Sequence, residues 1–327
     1  MLQYAFYDWM REMPKQRRYI TRAGFALQAY AIYMILMWGP FRLPKWLYPY
    51  YLVLPQSPVS YVLVLLLYYA GYCVMNGMLT SEFVRKTQLE SDQIAAQQIQ
   101  KTLQPEKVDP IAGYSVETFY QPFRDVGGDY FDVIDLPAGR TLFAVADVSG
   151  KGMPAALLAA NIQALVRSIA SATQDPVALA TQINEHLGRY TPSDRFATAV
   201  FVVLDRASGG LTYVNAGHNA PIISGPEPAI FLRATGMPLG LLTGAEYESG
   251  TASIPPGGTL LMFTDGLTDA IPGDAPEARL CDALAGGSAK TMLQLKALID
   301  PKFHEDDVTL LLVRRDDAAA GDGNHRV

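Results

Sequence analysis

Thr141-Leu-Phe-Ala-Val-Ala-Asp147-Val-Ser-Gly-Lys-Gly152, preceded closely by Asp125-Val-Gly-Gly-Asp129-Tyr-Phe-Asp132, decides how the rest of this chain is read. Leu142, Ala144 and Ala146 alternate with Phe143 and Val145, the two-residue period of a buried strand, and the strand delivers a carboxylate, Asp147, at its far end. An ionised carboxylate in an apolar interior costs several kcal/mol even after relaxation, so it needs a cation, dense hydrogen bonding or a proton. Glycines at 127, 128, 150 and 152 stand beside each acidic group. They indicate that the backbone either turns tightly there or comes close to another group.

Working outward, strand-like runs cover Tyr114–Tyr120, Phe131–Asp135, Thr141–Asp147, Ala197–Asp205, Leu211–Asn215, Thr259–Thr264 and Val308–Arg314. Helical runs cover Pro154–Ala170, Pro176–Tyr190 and Ala289–Ile299. Tight links such as Arg206-Ala-Ser-Gly-Gly210 are hairpin signals, so the sheet is expected to be largely antiparallel with helices packed on it. A phosphate-binding Walker loop is excluded, because Gly150-Lys151 is followed by Gly152 rather than Ser or Thr.

Two further acids repeat the opening pattern. Leu260-Leu-Met-Phe-Thr-Asp265-Gly266 is again an apolar strand ending in an acid, and Asp306-Asp307 directly precedes the strand Val308–Arg314. Each Asp alone also reads as an ordinary turn residue at a strand end. Together, Asp129, Asp147, Asp265 and Asp306 would gather four like charges, which cannot all stay ionised without cations. Carboxylates, carbonyls and water are hard oxygen ligands suited to Mg²⁺ or Mn²⁺. His218 lies in the turn-rich segment Asn215-Ala-Gly-His218-Asn-Ala-Pro221 and reads as a loop residue bonding to the backbone.

Charge divides the 327 residues into two parts. Residues 1–86 carry nine Lys/Arg against three acids, and the remainder carries 17 against 29. An acidic globular part with no basic track argues against nucleic-acid binding and against a nuclease. The nearly uncharged runs Ile20–Trp38 and Val59–Leu79 are each about 20 residues, the length that crosses a hydrocarbon core of about 30 Å as a helix. They are expected to form a two-pass transmembrane hairpin within an N-terminal region 1–81. Basic residues before the first run and Arg85-Lys86 after the second place both termini in the cytoplasm of a cell inner membrane. Cys73 and Cys281 fall in parts of different character and support neither a disulfide framework nor a thiolate metal site.

Residues 82–105 have helix-forming Gln, Glu, Lys and Ala with no Gly or Pro before Pro105. Leu89, Ala96 and Leu103 recur every seven residues, compatible with a solvated spacer helix or with a homodimeric coiled coil. The Asp- and Gly-rich tail 316–327 is expected to be disordered.

Five separated motifs carry a family resemblance. They are Val126-Gly-Gly-Asp129-Tyr-Phe-Asp132, Ala146-Asp147-Val-Ser-Gly-Lys-Gly152, Asn215-Ala-Gly-His218, Thr264-Asp265-Gly266 and Asp306-Asp307-Val-Thr309, with the lead-in Ile99-Gln-Lys-Thr-Leu-Gln-Pro105. Taken in order, they resemble the SpoIIE/RsbU branch of the PPM-type metal-dependent serine/threonine phosphatases. The resemblance implies an α+β fold over residues 106–315: an αββα sandwich of two antiparallel sheets flanked by helices. It implies two divalent ions, Mn²⁺ or Mg²⁺, held by Asp129, Asp147, the Val148 carbonyl, Asp265 and Asp306, with Asp307 orienting its neighbour. Asp129, Asp147 and Asp265 would act in catalysis through a metal-activated water. It also implies a phosphorylated regulatory protein as substrate, such as an anti-sigma-factor antagonist of STAS type, reached from the membrane lipid surface. The alternative is a non-catalytic signalling scaffold on the same fold. One departure is notable: eukaryotic members carry a His just after the second metal-binding Asp-Gly, where this chain has Asp147-Val-Ser-Gly150. Protonation of the leaving oxygen would then fall to metal-bound water or to Lys151.

Overall fold

The computed structural model describes residues 108–317 apart from 125, 193 and 286–289, together with positions 69, 72, 76, 77, 80, 83–88, 91, 92 and 94–102. The chain divides into two compact units, residues 1–84 and 85–327. The expected membrane span 20–38 lies outside the described residues, and 59–79 is described only at positions 69, 72, 76 and 77, all helical. The connector is helical wherever it is described, including 94–102. Leu89 and Leu103 lie outside the described residues.

In the second unit the strands are β1 (Tyr114–Gln121), β2 (Tyr130–Leu136), β3 (Arg140–Val148), β4 (Ala197–Asp205), β5 (Gly210–Ala216), β6 (Ile222–Ser224), β7 (Ile230–Phe231), β8 (Gly250–Ser253), β9 (Thr259–Phe263) and β10 (Val308–Arg315). They form two five-stranded sheets, one ordered β1-β10-β9-β6-β7 and the other β2-β3-β4-β5-β8. The ladders are antiparallel, as the hairpin signals require. At Arg206–Gly210 the Asp205 carboxylate accepts from the Ser208 N–H and hydroxyl, both at 2.8 Å, which closes the β4–β5 turn.

Three apolar layers make the sandwich. Alternation along β3 sends Phe143 and Val145 between the sheets, where they meet Leu260, Met262, Leu311 and Val313. Leu142, Ala144 and Ala146 face the other way, onto α1 (Met153–Thr173) and α2 (Pro176–Tyr190). The outer face of the first sheet is covered by α3 (Asp265–Asp269), α4 (Pro276–Ala285) and α5 (Thr291–Ala297). The αββα architecture expected from the motifs is the one observed. Short or polar elements escaped the sequence reading. β6, β7 and β8 have too few residues to show a period, and Asp265, expected at a strand end, instead opens α3.

Among the described residues α1 is the helix long and apolar enough to cross a membrane, with mean hydropathy 1.3. Its small residues Ala155 and Ala159 are instead buried against the second sheet. The end of α1 is marked by Gln174, whose φ of 49° is left-handed, and α2 starts at once on an Asp175 cap that accepts from Val177 and Ala178. The chain leaving β10 is tied down at this same end. Asp316, placed in the disordered tail from sequence, donates its N–H to the Gly113 carbonyl at 2.9 Å, and residues 318–327 lie outside the described residues.

An ion pair between a buried carboxylate and a half-exposed guanidinium pins α1 to β2. Asp132 is fully buried, and Arg167 grips it with Nε at 2.6 Å and Nη2 at 3.1 Å, while the Tyr130 hydroxyl donates to it at 3.2 Å. Removing the guanidinium leaves the buried carboxylate without a counter-charge, held by the Tyr130 hydroxyl and the Val133 N–H alone. Arg167→Ala is therefore expected to cost about 2–3 kcal/mol of stability. Urea unfolding checks this, with part of the loss regained when Asp132→Asn is added.

Candidate functional site

The expected acids come from both sheets and meet at one end of the sandwich. Asp147 is the penultimate residue of β3, Asp129 immediately precedes β2, Asp265 opens α3 just after β9, and Asp306-Asp307 lead into β10. β3 and β2 are neighbours in one sheet, β9 and β10 in the other, so two strand pairs aim their acid-bearing ends at the same place.

Two of these carboxylates are spent on holding that place together. Asp129, only 4% exposed, accepts on one oxygen from the Thr264 hydroxyl at 2.8 Å and the Thr309 hydroxyl at 2.6 Å, linking the start of β2 to the opposite sheet. Asp307 accepts from the backbone N–H of Phe123 at 2.8 Å and of Gly128 at 2.6 Å, gathering the loop that carries Asp129. Asp307, expected from the resemblance to orient its neighbour, has its carboxylate on the backbone of this loop. The glycines have a steric reason. A Cβ at Gly127 would collide with the Tyr120 hydroxyl and the Asp307 carboxylate, and one at Gly128 would lie 3.1 Å from the Val148 carbonyl oxygen.

The connector reaches the same loop. The Gln100 side chain donates to the Gly127 carbonyl at 2.7 Å and accepts from the Gly127 N–H at 3.1 Å, two residues from Asp129. Ala96, one turn earlier, joins Gln100, Asp129, Met153 and Leu157 in lining a pocket of about 100 Å³. The sequence showed the helix but not this contact, because an amide on a polar helix carries no periodic signal.

Electrostatics shows the strain of the arrangement. Burial, then the charge of Asp147, pushes the Asp129 carboxyl well above the usual carboxylate range, with the Thr309 and Thr264 hydroxyls opposing. Burial, followed by the charges of Asp265, Asp306 and Asp307, raises Asp147 to about 7. Asp265 is raised by burial and by Asp269 and Asp306, and Asp307 chiefly by burial against the pull of its N–H donors. The ammonium of Lys151 sits 2.7 Å from Asp306 and opposes the shifts of both Asp147 and Asp265.

This donor set fits a hard divalent cation. Its carboxylates are wholly or partly buried and crowded by like charges, a cationic group is already drawn to one of them, and the Val148 carbonyl lies at the loop edge. Among the described residues, no three His, Cys, Asp or Glu side chains are closed into a ligand set.

His218 is not among the acids, although its partner Thr198 is the cross-strand neighbour of Asp147. It is 6% exposed rather than in an open loop, its Nδ1 lies 2.8 Å from the Thr198 hydroxyl, and burial lowers it to about 4, so it is a neutral packing residue.

Fold and site together define a PP2C-type phosphatase fold: the SiaA-PP2C domain of Pseudomonas aeruginosa superimposes with a TM-score of 0.59 at 22% identity, over 71% of this chain and 98% of that one. The family model of Stage II sporulation protein E (SpoIIE) matches residues 137–316, and the chain belongs to that family. Phosphoserine phosphatase RsbU of Bacillus subtilis (strain 168) is 25% identical over 240 residues, 70% of this chain and 71% of its own length. Protein IcfG of Synechocystis sp. is 27% identical over 256 residues, 67% of this chain. The chain spans 40% of the length of IcfG.

A carboxyl at about 7 in the folded chain and about 3.9 unfolded holds its proton more tightly when folded. Stability contributed by that proton is present below about pH 4 and is lost as pH rises through about 7. In EDTA, the thermal midpoint is expected to fall more steeply between about pH 5 and pH 7.5 in the wild type than in Asp147→Asn. Calorimetry across that range decides; parallel slopes would assign the proton elsewhere.

Proposed function

We propose that this chain is a membrane-tethered, cytosol-facing phosphatase that hydrolyses phosphoserine or phosphothreonine on a regulatory protein. The observation that carries the reading is the convergence of Asp129, Asp147, Asp265 and Asp306 at one end of both sheets, with the carboxyl groups of Asp129, Asp147 and Asp265 raised by burial and by the charges of neighbouring acids. A non-catalytic scaffold would have no use for that repulsion. Membership of the SpoIIE family and similarity to a protein named as a phosphoserine phosphatase support the same reading. A regulatory phosphoprotein of STAS type suits a cytosolic face, and the short connection 43–58 between the expected spans leaves little room for an external sensor.

Asp147, the Val148 carbonyl, Asp129, Asp265 and Asp306 would hold two divalent ions, Mn²⁺ or Mg²⁺. When bound, such ions supply Lewis acidity toward the phosphoryl oxygens and a water acidic enough to attack phosphorus near neutral pH. The chain's own residues prepare the site. Thr264 and Thr309 leave one oxygen of Asp129 free of their bonds, and Asp307 fixes the approach of the Gly127-Gly128 backbone. Lys151 places a positive charge at the mouth, where an anionic phosphate group would arrive. Gln100 couples the helical connector to this loop, so a homodimer rearranging through the connector would reach the site directly.

Full-length protein in detergent is expected to release phosphate from a phosphoserine peptide in a Mn²⁺-dependent way. Asp147→Asn and Asp265→Asn should each lower the rate by about 10³-fold, the equivalent of roughly 4 kcal/mol of transition-state stabilisation. Release that persists in EDTA, or in both variants, would overturn the reading.

A further inference from the structure

We propose that Lys151 is a built-in counter-ion: its ammonium occupies the Asp306 side of the acidic cluster when no metal is bound, and must surrender that carboxylate before a divalent ion can be held there. The inference rests on the metal reading above and concerns what that metal displaces.

The ammonium has a defined seat. It lies 2.7 Å from Asp306 Oδ2 and donates to the Glu305 carbonyl at 2.8 Å. It also stands 5.4 Å from the centroid of the Phe123 ring, which itself packs edge-on against His304 at 5.8 Å. Carboxylate, carbonyl and aromatic face are the partners that suit a compact cation with three donors.

Local structure does not otherwise favour a cation there. Lys151 precedes the N-terminus of α1, whose first-turn N–H groups form the positive end of the helix dipole. The backbone is nonetheless shaped to present it: Gly150 and Gly152 on either side have φ of 95° and 78°, in the region that glycine alone enters without strain. The pull must therefore come from across the cleft, from Asp306 and the acids behind it. Lys151 lowers the carboxyls of both Asp147 and Asp265, so a single charge serves three acids on three different elements. Arg195, the other cation against this loop, is committed to the Ser149 carbonyl at 3.2 Å.

A tethered monovalent cation can balance only part of this charge. A divalent ion brings twice the charge with no side-chain entropy to lose, so it wins Asp306 once present, and the half-exposed Lys151 swings out on its flexible stem. Binding is thereby an exchange of one cation for another rather than the filling of a bare acidic hole. The exchange sets a threshold on metal affinity.

Two measurements on the full-length protein in detergent test this. Titration calorimetry with Mn²⁺ at about pH 7.5 should show the weaker of the bound ions held about tenfold more tightly by Lys151→Gln than by the wild type, with Lys151→Arg close to wild type. In EDTA the melting midpoint of Lys151→Gln should fall below that of wild type. On the wild type itself, reductive methylation read by mass spectrometry should find Lys151 shielded in EDTA and several-fold more reactive in Mn²⁺. Unchanged or weaker Mn²⁺ binding by Lys151→Gln, or Lys151 reactivity indifferent to Mn²⁺, would overturn the proposal while leaving the metal reading intact. Failure of the wild type to bind Mn²⁺ at all would overturn both.

Discussion

The hydrogen bonds of two buried carboxylates, Asp129 and Asp307, are the constraint on which the working end of this molecule depends. Asp307 precedes β10 in one sheet and holds the N–H groups of the loop that enters β2 in the other. Asp129 returns the contact, accepting hydroxyls from Thr264 and Thr309 at the ends of β9 and β10. A buried carboxylate left without such donors would cost several kcal/mol. The two sheets are therefore locked at the end where Asp147, Asp265 and Asp306 arrive. The apolar layer between the sheets supplies most of the cohesion but no such registration, because hydrophobic contact is non-directional.

That lock explains how a site can be assembled from residues that repel. Asp147 is raised to about 7 by burial and by three other acids, so the cluster on its own works against folding near neutral pH. The geometry survives because the scaffold beneath it is satisfied. The hydroxyl and amide donors are spent on Asp129 and Asp307, leaving the repulsion to be relieved by cations. Lys151 is the cation that the chain carries with it, and the proposed metals are those it takes from solution.

The connector belongs to the same construction. Gln100 makes a two-way amide contact with Gly127, so one turn of helix outside the sandwich shares the loop that Asp307 holds from inside. Any displacement of that helix would bear on the Gly127 backbone, where a Cβ has no room. The sequence suggested a seven-residue repeat here. What the structure adds is that Ala96, Ile99 and Gln100 line a pocket beside Asp129, whereas Ile94 remains exposed.

The two-sheet sandwich was implied by the family resemblance, whereas the residues themselves were enough for a largely antiparallel sheet, for the long strands β1 to β5, β9 and β10, and for the four acids. Those features rest on local period and on the cost of placing charge at the end of an apolar strand, both visible in a single stretch such as Thr141–Asp147. The sequence could not resolve β6 to β8, which are too short for a period, nor the burial of His218, which depends on Thr198 from another strand. Only the tertiary structure decided that Asp132 is spent on Arg167, that Asp307 clamps a backbone rather than joining the cluster's open face, and that Lys151 answers Asp306. Each of those pairs joins residues 35 to 184 positions apart or on separate elements. Local pattern fixes which residues are costly, whereas the packing of distant strands fixes which partner relieves the cost.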